Sequence, residues 1–184
     1  MNYKDLLKQY EASSYIINMT SFDGIIKTGI SLGLSKSTTI LDLCCGYGEM
    51  LKIWSEVFGI SGTGVDMCSE FIGTGKSRLA DAGIEKVNLI EGDILKYTNT
   101  EKYDVVSCTE HFGSIGETLA ILEKYVKPGG KLVFCHVFSK IPNPPKELID
   151  FEGPLPTLDE LYRIFRFNYR RPYQGQALFV LERL

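Results

Sequence analysis

The sequence predicts an α/β fold of three layers: a mostly parallel sheet with helices on both faces. Three observations predict it. From Thr39 onward, short apolar runs alternate with stretches of helical periodicity. The first run enters a tight glycine turn in "ILDLCCGYGEM", Ile40 to Met50. Aspartates then stand at or just past the ends of three consecutive strands, at Asp42, Asp66 and Asp93. A chain of 184 residues suits one domain with one sizeable core.

The elements follow in order. Residues 1–38 read as a helical cap. Within 21–33, Phe22, Ile25, Ile26, Ile30 and Gly33 mark the face expected to pack on the core. The more polar start, with Tyr3, Tyr10 and Tyr15, is placed as a lid. Residues 39–138 form the ligand-binding core. "TILDLCC" is its first strand, and "EMLKIWSEVFG" a helix stopped by Gly59. "GTGVDM" is the second strand. "SEFIGTGKSRLADAG" is a helix opened by Ser69 and closed by Gly83. "KVNLIEGD" and "YDVVSC" are the third and fourth strands, and "SIGETLAILEKYV" a helix ended by "KPGG". Pro128-Gly129 suits a type II turn leading into the strand "KLVFCHVF". Residues 139–184 supply a proline-rich loop, a helix opened by a Thr157/Glu160 capping box, and a hairpin turning near Gln174-Gly175.

Composition narrows the function. The formal net charge is −3 and no basic tract appears, which disfavours nucleic acid and anionic membranes as partners. No apolar run approaches the ~18 residues of a membrane span. The polar N-terminus lacks a signal-peptide layout, so the cytoplasm is expected. Cys44, Cys45, Cys68, Cys108 and Cys135 show no zinc spacing, and no metal site is expected.

The chemistry gathers at the carboxyl ends of the strands, where such sheets bind ligands. Gly46 and Gly48 let backbone approach a ligand. A dinucleotide fingerprint would need a third glycine where Leu51 stands. Asp42 near the end of a buried strand would repel a pyrophosphate and attract an ammonium; backbone N–H groups are its other possible partner. Asp66 has the place and spacing of an acid that accepts from ribose hydroxyls, or else forms a turn. Asp93 can accept from an adenine amino group, with Ile94 against the ring, or cap a helix. Together the acids describe a nucleoside with a cationic tail and no phosphates, S-adenosylmethionine.

The stretches Ile40–Gly48, Gly64–Ser69, Gly92-Asp93 and Val126–Val133 resemble the motifs of class I S-adenosylmethionine-dependent methyltransferases. The small-molecule branch, similar to ubiquinone and menaquinone methyltransferases, looks closest. The resemblance covers roughly residues 36–138. It implies a Rossmann-like seven-stranded sheet with an antiparallel last strand. It also implies that Asp42, Cys44, Gly46 and Gly48 surround the methionine and ribose, Asp66 holds the ribose, and Met67 lies on one adenine face. Asp93 and Ile94 would hold the adenine, and Thr109 would line the site near the sulfonium. Cys44 departs from the family's glycine.

Methyl transfer to a small-molecule acceptor needs mainly in-line alignment. If the acceptor must lose a proton, Glu110 and His111 past the fourth strand are the candidate catalytic bases. "GTGKS" (Gly73–Ser77) lacks the earlier glycine of a phosphate loop, because residue 70 is Glu70. "NPP" (Asn143–Pro145) follows the wrong strand for adenine methylation of DNA. Two other readings stand beside the methyltransferase: a nicotinamide-dependent oxidoreductase and a non-catalytic S-adenosylmethionine binder.

Overall fold

The computed structural model describes residues 22–109, 114–135, 143, 146, 149–150, 156–157, 159–160, 169–175 and 178–183. In chain order the elements are α1 (Phe22–Leu32), β1 (Thr39–Leu43), α2 (Glu49–Phe58), β2 (Ser61–Asp66), α3 (Ser69–Asp81), β3 (Val87–Glu91), β4 (Tyr103–Cys108), α4 (Ile115–Leu122), β5 (Val126–Cys135), β6 (Tyr169–Gly175) and β7 (Leu178–Arg183). The strands form one seven-stranded sheet in the order β3-β2-β1-β4-β5-β7-β6. The β1–β2, β1–β4, β2–β3 and β4–β5 pairs are parallel, while β7 runs antiparallel to both β5 and β6. The order reverses at β1, whose neighbours are β2 and β4, so the switch point lies at the end of β1.

Alternation along β1 divides the core into two layers. Ile40 joins the cluster containing Ile25, Leu51, Trp54 and Leu89. Leu41 and Leu43 join the one containing Val106, Leu119 and Phe134. From Ile40 to Leu43 β1 is buried, and Asp42 is the polar residue in that run. The amino edge of the sheet is closed by polar contacts. Asp104 accepts from the Thr39 N–H at 2.8 Å and pairs with Lys127 at 2.7 Å.

The predicted face of α1 is borne out at Ile25 and Ile26, which pack on the core, and corrected at Phe22 and Ile30. Ile25, Thr28, Gly29 and Leu32 face the core, whereas Phe22 and Ile30 are 60% and 64% exposed. The cause is close approach. A Cβ at Gly29 would lie 2.3 Å from Phe58 Cε2, and Trp54 Nε1 donates to the Ile25 carbonyl at 2.9 Å. Small residues admit α2, so counting bulky side chains extended the stripe wrongly to Phe22 and Ile30 and passed over Thr28 and Gly29.

Other boundaries also shift. α3 does open at Ser69, after an N-cap Cys68 whose side chain makes no capping bond, but it ends at Asp81, short of Gly83. α4 ends at Leu122, and β5 already starts at Val126. Gly129 takes φ 72° as the turn chemistry requires, but the irregularity sits inside β5, opposite a register shift between Tyr103 and Val105. β6 runs through Gly175, which pairs with Leu178 of β7. Glu160 N donates to Thr157 Oγ1 at 3.3 Å, and Thr157 N donates to Glu160 Oε2 at 2.7 Å, completing the expected capping box.

Candidate cofactor site

The turn after β1 is built on left-handed backbone. Gly46 and Gly48 take φ 58° and 74°, as glycine allows. Cys44 also takes φ 58°, which is costly for a residue with a Cβ. Its half-buried side chain packs against the cluster that includes Val65, Ile90 and Ile94. The turn is fastened to β2, with the Cys45 N–H donating to the Val65 carbonyl at 3.1 Å. A Cβ on Gly64 would come within 2.7 Å of Cys45 Sγ, so the bare glycine makes room for that thiol.

Asp66 orders this turn directly. Oδ2 accepts from the Gly46 N–H at 2.8 Å, and Oδ1 from the Cys68 N–H at 2.9 Å. A carboxylate has about four acceptor sites, so two remain for ribose hydroxyls. The turn-forming and ribose-holding roles are therefore compatible.

Asp42 lies beneath the turn at 1% exposure. Ser107 Oγ donates to its Oδ1 at 2.7 Å. Burial pushes its carboxyl up to about 7. The Ser107 bond works against that rise, and the charges of Asp66 and Glu49 add to it.

Glu49, the first residue of α2, is likewise pushed up to about 7 by burial, although Arg78 pairs with it at 2.8 Å. The Arg78 guanidinium also lies 4.5 Å over the Tyr47 ring, which meets Phe71 edge-on at 4.6 Å. Arg78 and Phe71 belong to α3, so that helix clamps the turn from one side.

Met67 is 77% exposed at the end of β2. Asp93 accepts from the Leu95 N–H at 2.9 Å and pairs with Lys96 at 3.2 Å. These contacts, the N–H bond foremost, hold its carboxyl below the usual range. Asp93 forms a local turn rather than a helix cap. Ile94 beside it is half-buried, and Thr109 is buried at the end of β4. Glu110 and His111 lie outside the described residues.

Two cavities lie elsewhere. One of about 460 Å³ is lined by Lys76, Leu79, Asn88 and Leu89. Another of about 210 Å³, at the amino edge, is lined by Thr38, Asp104 and Lys127. Neither is lined by Asp42, Asp66 or Asp93.

Sequence reasoning missed Ser107, Glu49, Arg78 and Tyr47. For Ser107 a signal existed, because a serine in the apolar run "YDVVSC" invites a partner. For Arg78, 29 residues from Glu49, no local pattern points to the pairing.

The residues present fit S-adenosylmethionine. An ionisable acid sits under an open glycine turn, a second acid has spare acceptor sites, and an exposed methionine stands beside it. Among the described residues, no group of three or more metal-ligating side chains occurs.

Comparison with known proteins agrees. The family described as "Methyltransferase domain" matches residues 34–168. The uncharacterised protein YjhP of Escherichia coli is 40% identical over 106 residues, which are 55% of this chain and 43% of YjhP. The chain thus spans less than half the length of that relative. A demethylmenaquinone methyltransferase of Staphylococcus aureus is 27% identical over 95% of this chain and 68% of its own. A crystal structure of a SAM-dependent methyltransferase from Thiobacillus denitrificans with S-adenosyl-L-homocysteine superposes with TM-score 0.83 at 25% identity. That match covers 94% of this chain and 75% of the other. These likenesses leave the oxidoreductase reading without support. The chain belongs to the methyltransferase domain family, within the class I S-adenosylmethionine-dependent methyltransferases.

Proposed function

We propose that the chain transfers a methyl group from S-adenosylmethionine to a small-molecule acceptor by direct in-line displacement. The observation that carries the reading is that Asp42, Asp66 and Asp93 stand at or just past the carboxyl ends of three neighbouring parallel strands, β1, β2 and β3, beside the switch point. When bound, the cofactor supplies an already activated methyl group on its sulfonium. The chain's own residues bind and orient. The Asp42 carboxylate offers negative charge beneath the cationic tail, Asp66 accepts from the ribose, and Met67 covers one adenine face. Asp93 and Ile94 bound the adenine on the other side, while Cys44, Gly46, Gly48 and Thr109 complete the wall.

A small acceptor accords with the net charge of −3 and with likeness to a demethylmenaquinone methyltransferase across 95% of the chain. Among the described residues, no helix is long and apolar enough to cross a membrane. Five free cysteines favour a reducing compartment such as the cytoplasm. Glu110 and His111 are the candidate bases for an acceptor that must lose a proton.

The test is S-adenosylhomocysteine production against a panel of small acceptors that includes a demethylmenaquinone. Turnover with a panel member supports the reading. Tight cofactor binding without turnover on any of them favours a non-catalytic binder. If an active acceptor is found, His111→Ala should lower turnover far more than cofactor affinity; equal turnover rejects the base.

A further inference from the structure

We infer that Ser107 is a positioning residue for cofactor capture: its hydroxyl holds Asp42 in the ionised form that attracts the ammonium of the cofactor. The inference rests on the placement of Asp42 beneath that cationic tail. β4 lies directly beside β1, and Ser107 stands in register with Asp42. Ser107 is fully buried, with Oγ 2.7 Å from Asp42 Oδ1 and 3.4 Å from the Leu41 carbonyl.

A hydroxyl carries one proton and two lone pairs. Two arrangements satisfy every atom. With Asp42 ionised, Ser107 donates to the carboxylate. With Asp42 protonated, the carboxyl donates to Ser107, which turns its own proton toward Leu41. Serine therefore lets a buried acid change state without orphaning a polar group, which an alanine could not do.

The surroundings favour the neutral form. Among the described residues, the charges acting on Asp42 are both acidic: Asp66 from β2 and Glu49 from α2. The neighbouring Cys45 thiol is itself held well above its ordinary range, first by burial and then by Asp42. Arg78, from α3, is engaged with Glu49. The Ser107 bond is the influence on Asp42 that stabilises its charge. A bound ammonium adds a second one, so cofactor binding should release a proton below about pH 7.

The experiment is calorimetric titration of S-adenosylhomocysteine, which keeps the ammonium, into wild type, Ser107→Ala, Ser107→Cys and Asp42→Asn from pH 6 to 9. A shift of one pKa unit is tenfold. Wild-type affinity should fall as the pH drops through about 7. With a one-unit rise, Ser107→Ala should bind about ninefold more weakly than wild type at pH 6 and about fivefold at pH 7, the ratio closing to about one by pH 9. Ser107→Cys, a weaker donor of similar size, should fall between them. Asp42→Asn should be weak with no such acid limb. A Ser107→Ala/wild-type ratio that is constant across the range, whether unity or larger, would overturn the inference and leave the site intact. Absence of wild-type binding at every pH would overturn the cofactor site and this inference with it.

Discussion

Gly75→Ala tests the packing of α3 on the cofactor turn, and its expected sign runs against helix propensity. In an exposed helix interior, replacing glycine by alanine stabilises by about 1 kcal/mol. At Gly75 the new Cβ would lie 2.3 Å from the Tyr47 carbonyl oxygen and 2.6 Å from Leu89 Cδ1. The carbonyl is backbone and cannot rotate away, so α3 and the turn must separate by roughly 1 Å to restore ordinary contact. Overpacking of this kind costs about 1–3 kcal/mol. Set against the propensity gain, the net change is about 1 kcal/mol of destabilisation.

Gly73 stands two residues earlier in the same helix, and a Cβ added there would meet nothing within 4 Å. Gly73→Ala should therefore gain about 1 kcal/mol. The two variants should differ by about 2 kcal/mol, or roughly 4–8 °C in Tm for a chain of this size. Urea denaturation of both, with calorimetric binding of S-adenosylhomocysteine, measures the effect. Gly75→Ala should also bind more weakly, because the displaced segment carries the cofactor turn. Equal stability of the two variants would refute the reasoning.

Cys44→Gly should hold or raise stability by up to about 1 kcal/mol through relief of left-handed strain, whereas Cys44→Val should lose about 2 kcal/mol; thermal unfolding decides. Asp66→Ala frees the Gly46 and Cys68 N–H groups and should weaken S-adenosylhomocysteine binding by on the order of 1–3 kcal/mol. Unchanged affinity would make Asp66 a turn residue only. Asp42 and Glu49 both rise to about 7 on folding, so the native state binds more protons than the unfolded chain between about pH 4 and 7. Stability of the free protein should thus fall as pH rises through that window and level off above it. A Tm that increases from pH 5 to 7 would contradict both shifts.

Much of the fold was legible because its signals are local. The apolar run of β1, the left-handed glycines at 46, 48 and 129 and the Thr157/Glu160 box all declare themselves within a few residues. The face of α1 did not, because Gly29 meets Trp54 and Phe58 through the absence of a side chain, which periodicity does not weigh. The acids around the turn were legible from their strand-end positions. Their partners were not. Ser107 reaches Asp42 across 65 residues, through strand order alone. Arg78 reaches Glu49 and Tyr47 through the docking of one helix on another helix's first turn. On the acceptor side, Glu110 and His111 lie outside the described residues.

The left-handed cysteine of the turn has a practical consequence. Cys45, Cys68, Cys108 and Cys135 are buried, and Cys44 is the partly accessible thiol. A small alkylating reagent should therefore mark Cys44 first, and a bound nucleoside should slow that marking. Such protection would make Cys44 a chemical reporter of cofactor occupancy, usable before any acceptor has been identified.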